Sequence, residues 1–208
     1  MKILISDLMN ESGVGFGTSG ARGLADKMTD RVCYAYTLGF LQHLHEANLI
    51  QKSDSVFIAG DLRPSTPRII TACIEAIKDF GGEVVFAGFI PTPAVALAGL
   101  NAHCASIMVT GSHIPDDRNG IKFYKPAGEI MKSDEAGIKA QSVDLPESKF
   151  SSNGNFLQAH DLPSIDARPE QLYLDRFLGF FPEQLFSGLR VGIYQHSSVA
   201  RDMLSNVL

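Results

Sequence analysis

A serine, a histidine and a lysine lie close together in the segment TGSHIPDDRNGIKFY, residues 110–124. Ser112 and His113 follow directly on the apolar run 105–110, and Lys122 comes further along the same segment. A serine hydroxyl can act as a nucleophile or carry a phosphate group, an imidazole can accept a proton near neutral pH, and an ammonium group can neutralise an anion. The segment is therefore either an active-site loop or a turn that carries polar side chains.

Serine hydrolase chemistry would require the histidine to deprotonate the serine. The nucleophile elbow of many such enzymes has the pattern Gly-x-Ser-x-Gly, whereas Ile114 takes the last glycine position here and Pro115 follows. Side chains of adjacent residues tend to point in different directions, so we expect His113 to be poorly placed to deprotonate Ser112. The pattern disfavours a hydrolase.

Asp116 and Asp117 could in principle bind a metal ion. They follow Pro115 in a turn sequence, where aspartate is common because its side chain bonds to the backbone. The sequence therefore favours a turn at these aspartates over a metal site.

A serine that carries phosphate explains the segment better. Phosphoserine adds a charge of about −1.5 to −2 and three acceptor oxygens, and it calls for nearby cations. Lys122 and Arg22 are the available ones. We expect Asn119 and Gly120 to form a tight turn that folds the Lys122 strand back beside Ser112.

The elements that position this loop follow from the apolar pattern. Short apolar runs bounded by turns predict buried strands at 55–61, 83–89 and 105–110. Helical spacing and capping residues predict helices at 30–48, from Ser65 or Thr66 to Gly81, and at 91–102. This alternation predicts an α/β fold, a three-layer α/β/α domain with a mostly parallel, mixed sheet. The run 121–126 predicts an exposed edge strand, because Lys122 alternates with its apolar residues.

Ligands of such sheets bind at the carboxyl ends of the strands. The loops 61–65, 90–93 and 111–115 occupy that position, and the glycine-rich segment 15–23 is a candidate fourth wall. Its glycines would let backbone N–H groups approach an anion, and Arg22 would add a guanidinium that suits phosphate.

The predicted domain spans residues 1–141, and the segment 142–167, rich in Ser, Pro, Asn and Asp, predicts a linker or surface connection without packed elements. Residues 168–208 then predict a helix from Arg168, a strand at 189–194 and a helix from 197. A single strand with two helices cannot bury a core, so we expect these residues to be the truncated start of a second α/β domain in a longer protein.

Composition limits the remaining possibilities. The chain has 208 residues and a formal net charge of −5, without a basic cluster, so we expect no nucleic-acid partner. The longest apolar runs are too short for a secretory signal or a membrane span. The three cysteines (Cys33, Cys73 and Cys104) are widely spaced, which predicts buried thiols in a reducing compartment. Together these features predict a cytoplasmic protein that does not bind membranes.

Three motifs resemble those of the α-D-phosphohexomutase superfamily, which comprises phosphomannomutases, phosphoglucomutases and phosphoglucosamine mutases. The motifs are Phe16-Gly17-Thr18-Ser19-Gly20-x-Arg22-Gly23, Gly60-Asp61-x-Arg63-x-Ser65, and Thr110-x-Ser112-His113-x-Pro115-x₃-Asn119-Gly120-x-Lys122. They occur in the order of the family, and the third is the most specific.

The resemblance implies a multidomain enzyme in which phosphorylated Ser112 exchanges phosphate with a hexose monophosphate through a bisphosphorylated intermediate. It implies catalytic roles for Ser112, His113, Arg22 and Lys122. It implies phosphate or substrate binding by a further set of residues: Thr18, Ser19, Asp61, Arg63 and Asn119. It also implies Mg²⁺ bound to a phosphoserine oxygen and to aspartates of a second domain.

The chain departs from the family pattern at three points. Gly111 stands where alanine is usual, and Ile114 stands where the common Ser-His-Asn-Pro signature has asparagine. An Asp-x-Asp-x-Asp motif is absent from the sequence, so the implied metal site has only its serine half. We therefore expect the chain alone to be inactive, and a stand-alone phosphate-binding or interaction domain remains the alternative. The motifs do not distinguish mannose, glucose and glucosamine phosphates as substrates.

Overall fold

Strands and helices alternate along the chain, as the apolar pattern predicts. The computed structural model describes residues 1–17 and 20–208. Its strands are β1 (Lys2–Leu4), β2 (Gly15–Phe16), β3 (Gly20–Leu24), β4 (Ser55–Gly60), β5 (Glu83–Phe86), β6 (Ala105–Val109), β7 (Arg118–Lys125), β8 (Gly128–Glu129) and β9 (Ser142–Asp144). Its helices are α1 (Ile5–Ser12), α2 (Asp30–Glu46), α3 (Thr66–Phe80), α4 (Thr92–Ala102), α5 (Lys132–Lys139), α6 (Arg168–Leu178) and α7 (Arg201–Val207), with a 3-10 helix at Glu147–Lys149.

One mixed sheet organises the fold. Its strand order is β2-β3-β7-β6-β4-β5, and β8 pairs with β7. Strand β4 is parallel to both β5 and β6, whereas β3, β7 and β6 pair antiparallel. Strands β1 and β9 form a separate antiparallel pair. The predicted α/β fold with a mixed sheet is confirmed. The sheet is less parallel than expected, because its parallel part is limited to β4, β5 and β6 and the other pairs are antiparallel.

Helices cover both faces of this sheet, because alternate residues of each strand point to opposite sides. On one face Phe40 of α2 stacks on Phe123 of β7, with ring centroids 4.6 Å apart. On the other face Met108 of β6 packs in a cluster with Val95 of α4 and Leu174 of α6. The carboxyl ends of β4 and β6 meet at one edge between these layers.

The predicted helix boundaries agree well with the structure. The Thr29 hydroxyl accepts a hydrogen bond from the Val32 amide at 3.4 Å and so caps α2. Helix α3 has Pro67 in its first turn and ends at Gly81, whose φ of 99° is in the left-handed region that glycine adopts most readily. The predicted capping bond of α3 is wrong, since the Ser65 side chain makes no such bond in the structure.

Strand β7 corrects two predictions from the sequence. It lies in the interior of the sheet between β3 and β6, so it is not an edge strand. Asn119 and Gly120 belong to this strand and do not form a turn. Ile121 and Phe123 are buried in the core under α2, which explains the alternation that suggested an edge strand.

In the glycine-rich segment, Gly15–Phe16 and Gly20–Leu24 form the antiparallel strands β2 and β3. Gly20 pairs with Lys122, and a Cβ atom on Gly20 would lie 2.1 Å from the carbonyl oxygen of Ile121. Glycine is therefore required there by the close approach of the neighbouring strand.

The sequence predicted no packed elements in the segment 142–167, but the structure has them in its first half. Strand β9 pairs with β1, and Phe150 is buried against Tyr34 of α2, with ring centroids 5.5 Å apart. The Arg31 amide donates to the Gly154 carbonyl at 2.9 Å. The first half of this segment therefore packs against β1 and α2, while the division of the chain into domains remains a prediction.

Helix α6 confirms the helix predicted from Arg168, and α7 begins at Arg201, later than predicted. Residues 189–194 form no strand, so that prediction is wrong. A strand needs a partner for its backbone hydrogen bonds, and the six-residue stretch has no partner strand within the described residues.

The cysteines differ in exposure. Cys33 and Cys73 are buried free thiols, and burial raises the pKa of Cys73 to about 12. Cys104 is only half-buried, so the prediction of three buried thiols is wrong at this position. Among the described residues, no helix has the length and apolar character needed to cross a membrane.

Candidate active site

The predicted serine loop leaves the carboxyl end of β6 and returns to the sheet at the start of β7. Ser112 and His113 are exposed at the tip of this loop, whereas Gly111 at its base is buried. The loop lies beside the residues that follow β4, because β4 and β6 are parallel neighbours. The topology thus places the loop at the edge where α/β sheets bind ligands.

Ser112 has a strained backbone. Its φ of 50° lies in the left-handed region, which is uncommon for residues other than glycine. Its amide donates to the Thr110 hydroxyl oxygen at 2.9 Å. The Thr110 hydroxyl in turn donates to Asp61 at 3.0 Å, so a hydrogen-bonded chain fixes the backbone of Ser112.

Asp61 connects the end of β4 to the serine loop. One carboxylate oxygen accepts from the Thr110 hydroxyl and from the Gly111 amide at 2.9 Å. The other accepts from the Arg63 amide at 3.1 Å and from the Thr66 hydroxyl. Because both oxygens already have partners, Asp61 is placed to hold the loop.

The side chain of Arg63 also contacts the backbone of the loop. Its guanidinium group donates to the carbonyl oxygens of Pro115 at 2.7 Å, Ile114 at 2.6 Å and Arg118 at 3.1 Å. It also lies 3.4 Å from a carboxylate oxygen of Asp61. These contacts give Arg63 a structural task in the loop, whereas the sequence suggested a phosphate ligand.

Asn119 is fully buried beneath the same loop. Its side-chain nitrogen donates to the hydroxyl oxygens of Ser65 at 2.9 Å and Thr66 at 3.0 Å. Its side-chain oxygen accepts from the Gly120 amide at 2.8 Å. Asn119 therefore joins the start of β7 to the start of α3 and lies below the surface that a substrate would reach.

Arg22 and Lys122 approach the loop from the sheet. Arg22 pairs with Gly120 and Lys122 pairs with Gly20 in the β3–β7 ladder, so both side chains are on the same face. Neither side chain forms an ion pair or hydrogen bond with residues 1–17 or 20–208. Together with Ser112 they line a depression of about 10 Å³, which is room for a single water and far too little to enclose a sugar.

His113 lies closer to Ser112 than the sequence suggested. Its Nδ1 atom is 3.3 Å from the Ser112 hydroxyl oxygen, so the expectation that the two side chains diverge is wrong. The distance is long for a hydrogen bond of a hydroxyl group. No second group orients the imidazole within the described part of the chain, as a hydrolytic triad would require.

Two predicted ligands, Thr18 and Ser19, lie outside the described residues. Sequence reasoning placed Thr110 in the third motif and Gly111 in the loop 111–115, but it gave neither of them, nor Thr66, a role in the site. The threonines have ordinary strand-end and helix-start positions in the sequence, and their contacts with Asp61 join residues distant in the chain. A signal for Gly111 was present, because it departs from the alanine that is usual in the resembled family.

A complete magnesium site does not fit the residues at the loop. Mg²⁺ requires several oxygen ligands in near-octahedral geometry. Both oxygens of Asp61 are engaged, and Asp116 is fully exposed and lies 3.6 Å from the Arg63 guanidinium. No group of three or more His, Cys, Asp or Glu residues that could hold a metal occurs in the ranges 1–17 and 20–208.

Comparison with known proteins agrees with the three motifs. Residues 13–147 match the sequence model of the family described as phosphoglucomutase/phosphomannomutase, alpha/beta/alpha domain I. A phosphomannomutase of Salmonella muenchen is 40% identical over 197 residues, which are 95% of this chain and 38% of that protein. A phosphomannomutase of Sinorhizobium fredii is 39% identical over 94% of this chain and 41% of its own length.

Solved structures add a likeness of fold. The open form of the phosphoglucomutase parafusin from Paramecium aligns with a TM-score of 0.62 at 21% identity, over 83% of this chain and 36% of that one. The chain thus spans about two fifths of the length of the relatives that it matches. Because the family match covers well over half of the residues, the chain belongs to the phosphoglucomutase/phosphomannomutase family and contains its alpha/beta/alpha domain I.

Proposed function

We propose that this chain supplies the phosphate-carrying serine of an enzyme that interconverts hexose 1-phosphate and hexose 6-phosphate. The sugar would be mannose, glucose or both, and a bisphosphorylated sugar would be the intermediate. The observation that carries this proposal is the exposed Ser112 on a strained loop, with two cations, Arg22 and Lys122, on the adjoining sheet face. The relatives named phosphomannomutase support the reaction class.

The proposed transfer moves one phosphoryl group at a time. A sugar hydroxyl oxygen forms a bond to the phosphorus atom while the bond from phosphorus to the Ser112 oxygen breaks. The hydroxyl proton passes to solvent, and the serine oxygen leaves with the electron pair of the broken bond. His113 is 3.3 Å from this oxygen and could deliver a proton to it. Arg22 and Lys122 would stabilise the negative charge on the phosphoryl oxygens, which is the main requirement of such a transfer.

Asp61, Arg63 and Asn119 hold the loop in this proposal, because their contacts go to the chain itself. Thr18 and Ser19 remain candidates for binding the phosphate or the sugar. Further walls of the sugar site, and aspartates that bind Mg²⁺ beside the phosphoserine, would come from residues beyond the region that the family match covers. We therefore expect this chain by itself to be inactive.

The experiment is a mass measurement on the complete protein. Phosphorylation by a hexose bisphosphate should add about 80 Da, one phosphate group, and peptide mapping should place it on Ser112. The Ser112→Ala variant should gain no mass and should fail to convert mannose 1-phosphate or glucose 1-phosphate. Phosphate on another residue, with full activity of the Ser112→Ala variant, would refute the proposal.

The contact between Ser112 and His113 favours one second candidate, a serine hydrolase. A phosphonate that reacts with activated serines separates the two functions. Stoichiometric labelling of Ser112 would support the hydrolase. An unlabelled protein that accepts phosphate from a hexose bisphosphate would support the mutase.

A further inference from the structure

The guanidinium group of Arg63 occupies the space next to Gly111 where other residues carry a side chain. A Cβ atom on Gly111 would lie 2.0 Å from Nε and 2.2 Å from Cζ of Arg63. Gly111 is buried, and the Arg63 side chain is only 13% exposed, so the two residues are packed together in the interior of the loop. A side chain at position 111 and the present position of Arg63 exclude each other.

From this position Arg63 reaches both ends of the serine turn. Nη1 donates to carbonyl oxygens at 2.7 and 3.1 Å, and Nη2 donates to carbonyl oxygens at 2.6 and 3.4 Å. The four carbonyl groups belong to Ser112, Ile114, Pro115 and Arg118. Hydrogen bonds from a charged donor are stronger than those between neutral groups, so this one side chain ties the turn together.

We propose that Arg63 is a positioning residue that fixes the Ser112 loop from below. Its guanidinium group fits there because Gly111 has no side chain. Asp61 completes the arrangement, since its Oδ2 atom lies 3.4 Å from Arg63 Nε and accepts from the Gly111 amide at 2.9 Å. The positive charge of Arg63 is thus matched within the chain. Arg63 acts on Ser112 through the backbone, whereas Arg22 and Lys122 face the site.

Backbone strain does not explain the glycine. The φ angle of Gly111 is outside the left-handed region, so the main chain would accept alanine at this position. The contact is with a flexible side chain, which can move away when a Cβ atom is added. Moving Arg63, however, breaks the hydrogen bonds to the turn. Gly111→Ala and loss of the arginine side chain should therefore cause the same defect.

A double-mutant cycle on the complete protein tests this coupling. Amide hydrogen exchange of the peptide 110–118 is measured by mass spectrometry for Gly111→Ala, Arg63→Ala and the double variant. Each single change should accelerate exchange about tenfold or more, the size expected for loss of hydrogen bonds to a charged group. The double variant should exchange no faster than Arg63→Ala alone. Independent, additive effects, or normal exchange in Gly111→Ala, would overturn the proposal.

Arg68→Ala is the matched control. Arg68 also lies near the start of α3, and its guanidinium donates to Asp30 at 2.8 Å and to the Ala25 carbonyl at 3.0 Å, with no hydrogen bond to residues 110–118. It should lower the free energy of unfolding without faster exchange in 110–118. If Arg63→Ala does not fold, Arg63→Lys replaces it, because one ammonium group cannot bond to both ends of the turn. Normal exchange of the lysine variant would also contradict the proposal.

The kinetic consequence rests on the proposed mutase function. Both single variants should lower kcat at least about tenfold and leave KM nearly unchanged, since the loop places the serine without contacting the sugar. A protein without mutase activity would refute the proposed function, while the exchange cycle would still decide on the coupling of Arg63 and Gly111. Faster exchange with unchanged kcat in an active enzyme would overturn the positioning role.

Discussion

Arg22 and Lys122 occupy diagonal positions on one face of the sheet, where Arg22 pairs with Gly120 and Lys122 with Gly20. Residues in this relationship on antiparallel strands lie about 7–8 Å apart, close enough for two long side chains to reach one anion. Both of their strand partners are glycines, so no side chain of these partners fills the space between the two cations. The pair therefore forms a cationic floor beside Ser112, which suits a phosphate group.

The first prediction concerns Lys122. In the complete protein, Lys122→Ala should lower the rate of phosphate transfer from phosphoserine at least about 10²-fold, because an ammonium group stabilises charge in the transition state. The fold should persist, since the side chain is half-buried at the edge of a depression. Single-turnover loss of phosphate from labelled Ser112 measures this rate.

Lys27→Ala is a suitable control, because Lys27 is exposed in a turn and does not line the depression beside Ser112. Lys125, on the opposite face of β7, is unsuitable as a control, since its ammonium group lies 2.7 Å from Asp134. If Lys27→Ala and Lys122→Ala have equal, small effects on the transfer rate, Lys122 has no catalytic role.

The second prediction follows from the strained backbone of Ser112. A non-glycine residue in the left-handed region costs about 1–2 kcal/mol. Glycine adopts this region without the penalty, but it loses more conformational entropy on folding because the unfolded chain is more flexible. Ser112→Gly should therefore be more stable than Ser112→Ala by about 0.5–1 kcal/mol, although neither can carry phosphate. Urea denaturation of both variants gives the difference. An alanine variant as stable as the glycine variant would show that the loop relaxes and stores no strain.

The layers of the fold could be predicted from the sequence because buried strands and helices need apolar residues at a local spacing that can be recognised in the sequence. Runs such as 105–110 are buried at every position and mostly apolar, since both faces of β6 are covered by helices. Helix α3 carries its own signals, with Pro67 at its start and Gly81 at its end. Strand β7 was misjudged because a half-buried lysine at 122 mimics the alternation of an edge strand.

The contacts within the site could not be predicted in the same way. Asp61 bonds to Gly111, and Arg63 to Pro115, across roughly fifty residues of chain, and such partners leave no local pattern. The sequence around a carboxylate or guanidinium group after a strand is the same whether the group binds a ligand or the backbone of the chain. Only Gly111 gave a signal in the sequence, because it stands where alanine is usual in the resembled family.

The third prediction is a pH dependence at Asp134. Burial alone would raise the pKa of this carboxyl group, but hydrogen bonds from Lys125, the Met131 amide and His43 lower it below its usual value. A carboxylate with a lowered pKa in the folded state stabilises the protein fully above the unfolded pKa of about 3.9. This contribution is lost as the pH falls through the lower pKa of the folded state.

Asp134→Asn should therefore lower the free energy of unfolding by about 1.5–3 kcal/mol at pH 7, with a smaller difference from the native protein near pH 3. Denaturation at a series of pH values measures this difference. The exposed Asp26→Asn serves as the control and should change stability little at any pH. A penalty for Asp134→Asn that stays constant down to pH 3 would mean that shape, and not charge, determines the role of the residue.

The last prediction concerns the segment after β9, which the sequence suggested was a linker. The Phe150 ring packs on Tyr34 at 5.5 Å and stacks on Phe156 at 5.1 Å, and it is only 9% exposed. Phe150→Ala should therefore lower the free energy of unfolding by about 3 kcal/mol, near the value for a buried phenylalanine. Leu157→Ala, at a side chain that is 61% exposed, should change it by less than about 0.5 kcal/mol. Urea denaturation compares the two. If both variants unfold like the native chain, the segment contributes nothing to the core and behaves as a connection between domains.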